Sequence, residues 1–193
     1  MKKVFLSILL SAVATVGSFA EEAATFIGGQ QLAVEVRGSS WVRDYTSMGW
    51  SVGTYSDAPG QVQNALELYN YSPANLQIQA GSKLILKVNG EPMILTTAMG
   101  TNYEGSTHVE SVFDGLGYIN YYGNTVYYDV TPEQAAAINT YGFTKYRYQV
   151  DQVIFERDNM NAARIAKKMK RIYDDLLESQ SLKASKMEDL SDF

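Results

Sequence analysis

Gly49-Trp50-Ser51-Val52-Gly53 has the spacing of a nucleophile elbow, in which a strained turn lifts a serine hydroxyl toward a histidine base. The chemistry would be acyl transfer, and it needs a histidine oriented by an acid within hydrogen-bond reach of that serine. The chain has one histidine, His108, with Asp57 the most obvious acid between the two. The residues after the motif, Thr54-Tyr55-Ser56-Asp57-Ala58-Pro59, read as a turn rather than the start of a helix. The match is read as a coincidence of a Gly- and Ser-rich stretch, and no catalytic residue is assigned to it.

Other reactive groupings are thinner. His108 and Glu110 share one face of a strand, but a catalytic zinc usually takes three protein ligands, and no second histidine or cysteine exists. Zero cysteines exclude thiol catalysis and iron–sulfur chemistry. Neither EF-hand spacing nor a phosphate-cradling glycine loop occurs. No cofactor and no metal are therefore expected. Paired carboxylates could hydrolyse a glycosidic bond, with Glu67, Glu104, Glu110, Asp114 and Asp129 as candidates, yet chain order singles out no pair.

The aromatic residues carry a stronger signal. Fourteen tyrosines and two tryptophans, Trp41 and Trp50, fall largely on strand-like runs. A hairpin turning at Gly123-Asn124 would set Tyr118, Tyr122 and Tyr127 on one face beside Asn120 and Asp129. Rings with polar neighbours on a rigid sheet suit a glycan or a protein partner, so these five residues are the candidate binding site. The competing reading is that cross-strand tyrosines only stabilise the sheet.

The elements that would position them are mostly strands. Short alternating runs separated by Gly, Asn, Pro and Ser extend from Gln30 to about Glu156, the mark of antiparallel β structure. They read as 30–36, 40–45, 50–55, 65–71, 76–80, 83–88, 93–97, 108–113, 117–122, 125–130 and 143–155. Asn89-Gly90 predicts a type I′ hairpin, and Pro92 places the following strand at an edge or lets it pair only from residue 93. Thr131-Pro132-Glu133-Gln134 is a capping box that starts a short helix near 132–140, stopped by Gly142. A second helix is expected over 159–180, capped by Asp158 or Asn159, with Ala162, Ile165, Met169, Ile172 and Leu176 as its apolar stripe. Residues 181–193 lose the pattern and read as a frayed tail. The fold class is mainly β (α+β): an antiparallel β-sandwich-like domain over 21–158, with the C-terminal helix packed on it.

The Leu-rich strand at 83–88, the Asn89-Gly90 turn, Tyr127-Tyr128-Asp129-Val130-Thr131-Pro132-Glu133-Gln134 and Lys145-Tyr146-Arg147-Tyr148-Gln149-Val150, followed by a final helix, resemble small exported bacterial β-domain proteins of unassigned function. What that resemblance implies is a fold, not an active site.

Residues 1–20 read as a cleavable signal peptide, with Lys2 and Lys3, an apolar run too short to span a bilayer, and small residues before Ala20. With no cysteine at the cleavage point, the product is periplasmic or secreted and not a lipoprotein. Cleavage removes two lysines and no acid, so 16 basic residues become 14 against 21 acidic, net −7. That balance argues against nucleic acid as a partner. A lipid-facing barrel is disfavoured by short strands and by the charged helix where a closing strand belongs. The expectation is an exported, non-catalytic binding or interaction domain of the bacterial envelope or exterior, meeting an envelope protein or a glycan. The alternatives are a carboxylate-based hydrolase without a recognisable motif, or a structural or assembly subunit.

Overall fold

Two local signals set the geometry of the second half of the chain. In a computed structural model, which describes residues 24–38, 43–55, 62–101, 107–113 and 117–191, Asn89 and Gly90 both have positive φ, 49° and 88°. That is what a type I′ turn demands, and it sets β4 (Lys83–Val88) against β5 (Glu91–Thr96) with Val88 opposite Glu91. Along the other edge of β5, a single pair, Thr96 opposite Asp129, is formed, so Pro92 withholds no needed ladder bond. The run expected as one strand over 143–155 is instead a hairpin, β8 (Lys145–Val150) and β9 (Val153–Arg157), because Asp151 takes φ 51° and reverses the chain.

The first half uses longer strands: β1 (Ala24–Gly38), β2 (Arg43–Tyr55) and β3 (Gln63–Ser72). The runs 40–45 and 50–55 join into β2, whose Thr46, Met48, Trp50 and Val52 point inward while Ser47, Gly49 and Ser51 take the opposite face. β6 (Thr107–Phe113) pairs with the start of β7 (Tyr118–Val130), and β3 pairs with its later part. Residues 76–80 form no strand; Ile78 is buried by tethering instead, its carbonyl accepting from the Thr101 N–H at 2.7 Å.

Among the described residues all pairings are antiparallel, and the order of the nine strands is β1-β2-β3-β7-β5-β4-β8-β9, with β6 beside β7. The mainly-β expectation is met. Its sandwich-like layers are the two halves of one nine-stranded sheet, folded at the lone Thr96–Asp129 pair. Met48, Trp50, Leu66, Leu68 and Tyr128 from one half share a core with Leu84, Leu86, Tyr146 and Tyr148 from the other. The Tyr148 hydroxyl bridges them, 3.2 Å from the Thr46 hydroxyl and accepting from Asn70 Nδ2 at 3.2 Å.

Both helices serve this core. α1 (Pro132–Tyr141) has the full capping box: Gln134 N–H donates to Thr131 Oγ1 at 3.2 Å and Thr131 N–H to Gln134 Oε1 at 2.9 Å. Gly142 ends it at φ 63°, where a Cβ would strike the Ala162 carbonyl as α1 and α2 meet. α2 (Ala162–Ser191) starts two to three residues later than expected, because Asn161 is the cap, its Oδ1 accepting from Arg164 N–H at 3.0 Å. It also runs past residue 180, where the apolar periodicity ends. Ile165, Met169, Ile172 and Leu176 are buried, and Tyr173 meets Trp50 edge-on at 5.3 Å. Trp50 Nε1 donates to Asn139 Oδ1 at 3.1 Å, so the strand, α1 and α2 are locked at one side chain. No helix among the described residues is long and apolar enough to cross a membrane.

Candidate functional site

The five-residue site expected from a Gly123-Asn124 hairpin does not assemble. β7 runs straight through those residues: Gly123 lies between Tyr71 of β3 and His108 of β6, and Asn124 between Asn70 and Thr107. A strand claimed on both sides cannot fold back on itself. The glycine is needed for another reason, since the Tyr69 ring lies where a Cβ at Gly123 would sit. Alternation along the unbroken strand puts Tyr118, Asn120 and Tyr122 on one face and Tyr127 and Asp129 on the other. Tyr118 is 79% exposed, Asn120 is exposed, and the remaining three are half-buried.

The tyrosines that do gather are Tyr45, Tyr69, Tyr71 and Tyr121, on the outer face of the first half. Tyr71 stacks on Tyr121 at 4.8 Å and 6°, and Tyr45 on Tyr71 at 5.1 Å and 25°. Rings stacked like cards across strands spend their faces on one another. A sugar-stacking platform needs an open face, so this row is a sheet-stabilising ladder.

Ser51 of the elbow-like motif sits mid-strand, wholly buried, and donates a 2.5 Å hydrogen bond to Glu67 Oε2. Gln31 Nε2 donates to Glu67 Oε1, and Gln31 Oε1 accepts from Ser47 Oγ at 2.5 Å. Glu67 is 7% exposed, and burial pushes its carboxyl above the ordinary value despite the two donors. The carboxylate lies flat because its neighbours are small: Gly49 is opposite it, Ser51 is opposite Ala65, and a Cβ at Gly28 would collide with it. Ser51 is opposite Ala65, which is opposite Asp129, whereas His108 is opposite Gly123. Six residues along β7 separate these positions by roughly 20 Å, so no Ser–His pair forms. Asp129 is on the same face of the sheet as Glu67, but both Glu67 oxygens are engaged toward β1 and β2. The sealed serine and carboxylate tie β1, β2 and β3 together through Gln31, Ser47, Ser51 and Glu67. Glu104, Asp114, Asp57, Trp41 and the segment 1–20 lie outside the described residues. Among the described residues no three His, Cys, Asp or Glu gather as a metal cluster would.

One opening with ligand-sized room is at the seam where the folded sheet fails to close. β1 and β9 are its two ends, and among the described residues no strand pairing joins them, while side chains of β8 and β9 reach β1. Arg157 Nη1 donates to the Val34 carbonyl at 3.1 Å, and the Tyr146 hydroxyl donates to the Glu35 carboxylate. Between β1, β9 and the first turns of α2 lies a cleft of about 450 Å³, within the range of small-molecule sites. Leu32, Val34, Met160 and Ile165 supply apolar surface, and Arg157, Arg164 and Lys168 supply cations. No pattern in the sequence singles out Arg164 or Lys168, because the seam exists only once the sheet has folded over. A second groove, of about 520 Å³, crosses the outer face of β4 and β8 at Lys83, Ile85, Arg147 and Ile154. The chain matches no family model, no curated protein and no solved structure.

Proposed function

We propose that this is an exported, non-catalytic binding domain of the bacterial envelope or exterior, and that its ligand seats in the seam cleft. The observation that carries the reading is the cleft itself: an opening bounded by two strands and a helix, lined by apolar residues and by three cationic side chains. The sealed state of Ser51 and Glu67 supports a binding rather than a catalytic role, since the grouping with the most reactive composition offers no room for a substrate. The docking of the α2 apolar stripe on its own sheet leaves that stripe unavailable to an assembly partner.

The test is a cross-linked pull-down of the exported protein from the cell envelope, run beside an Arg164→Glu, Lys168→Glu variant. Recovery of a defined partner or glycan by the parent, lost in the variant, is the expected outcome. Equal recovery by both would move the binding surface away from the seam.

A further inference from the structure

We infer that the seam cleft takes a small amphipathic anion, a carboxylate or phosphate carried on a short apolar body; this rests on the binding-domain reading above. The first argument is charge. The chain is acidic overall, net −5, yet Arg157 of β9 and Arg164 and Lys168 of α2 converge on this one opening. Arg164 and Lys168 are four residues apart on a helix, a like-charge spacing that costs stability rather than adding it. The same helix pairs Lys170 with Asp174 at 2.7 Å in the i,i+4 arrangement, and Arg164 and Lys168 differ from its other cations in lining the cleft. Among the described residues neither Arg164 nor Lys168 has a carboxylate within 4 Å. The acid that does line the cleft, Glu35, accepts from the Tyr146 hydroxyl. An anion entering the cleft would relieve the repulsion that the fold leaves in place.

The second argument is what the remaining surface excludes. The α2 N-terminus is capped by Asn161, so side chains rather than the helix end must hold the charge. β1 is an edge strand, and an acidic peptide could in principle add to it as a further strand. Its register, however, breaks twice, between Gly28 and Gln31 and between Ala33 and Glu35. Bulges of this kind blunt an edge against strand addition, and the Val34 carbonyl is already taken by Arg157. A small ligand fits an interrupted edge; an extended ladder does not. Leu32, Met160 and Ile165 give the apolar part of such a ligand its surface.

The experiment is calorimetric titration of the protein purified after export with decanoate, decyl phosphate, decanol and inorganic phosphate, each below its micelle concentration, at low and moderate salt. Decanoate and decyl phosphate should bind roughly 10-fold or more tighter than decanol or inorganic phosphate, and more weakly as salt rises. The stronger of the two separates a free acyl carboxylate from a phospholipid-type headgroup as the source. Arg164→Gln, Lys168→Gln, with an unchanged melting temperature, should lose roughly 10-fold in affinity for both. Decanol binding as tightly as decanoate, or an unaltered affinity in the double variant, overturns the inference. So does binding of a strand-forming acidic peptide in place of the anions. If no anion binds but the pull-down still depends on the cleft, the ligand class falls and the binding-domain reading stands. If neither does, both fall.

Discussion

Two outer faces of the same sheet hold a glutamate each, and they treat it in opposite ways. On the β1–β2–β3 face, Glu67 is buried among neutral donors, Ser51 and Gln31, and loss of water pushes its pKa up. On the β8–β9 face, Glu156 is directly opposite Arg147 and reaches Lys145 at 2.5 Å; hydrogen bonds from Lys145 and then Arg147 hold its pKa down. The difference comes from the size of the neighbours. Gly28, Gly49 and Ser51 let a glutamate lie down against the backbone and be sealed, whereas long cationic side chains hold the other half-buried at the surface, 26% exposed. A carboxylate between small residues becomes part of the packing, and one between lysine and arginine remains part of the surface.

Truncating Glu67 should give the largest effect. Glu67→Ala removes the acceptor for a fully buried Ser51 hydroxyl and for Gln31, and leaves a void between β1 and β3. A loss of about 2–3 kcal/mol is expected, read as a shift in denaturant midpoint. If Glu67→Ala and Glu156→Ala cost the same, the distinction between packed and surface carboxylates fails.

Glu67→Gln separates charge from shape. The folded protein holds a proton on Glu67 at pH values where the unfolded chain, with its ordinary value of 4.5, has already lost it. The contribution of this group is therefore fully present below the ordinary carboxylate value and is lost as pH rises through the raised one. A neutral glutamine fills the same space and has no charge to desolvate, so at neutral pH it should lie within about 1 kcal/mol of the parent. The melting-temperature difference should shift in favour of the variant as pH climbs from about 4 to 8. A difference that stays flat across that range would mean that Glu67 is not desolvated.

How much of this was legible beforehand depends on whether a signal is local. The Thr131–Gln134 capping box and the Asn89-Gly90 turn were readable because each is satisfied by backbone within four residues. Gly123-Asn124 looks the same in sequence, but whether it turns depends on Tyr71, 52 residues before Gly123, and His108, 15 residues before it, claiming both its edges. Glu67 was one of five candidate acids, and its own neighbours in the chain do not select it. A selector did exist: Ser47, Gly49, Ser51 and Gly53 recur at every second position, marking one face of β2 as too small to fill its own space. The seam cleft has no such trace, because its two sides lie more than 120 residues apart and meet only through the fold at Thr96 and Asp129.

The smallest effect should come from Glu156→Gln, and its sign is the useful part. With a lowered folded-state pKa, Glu156 contributes stability above the ordinary carboxylate value and loses it as pH falls through the lowered one, the reverse of Glu67. Its partners are themselves substantially exposed, Lys145 at 31% and Arg147 at 49%, so solvent and salt screen the attraction. The variant should therefore differ little from the parent at low salt and not at all at high salt, in melts run at both ionic strengths. A deficit that survives high salt would show that the β8–β9 pair is held by geometry, as the Glu67 clasp is, and the two faces would then obey one rule.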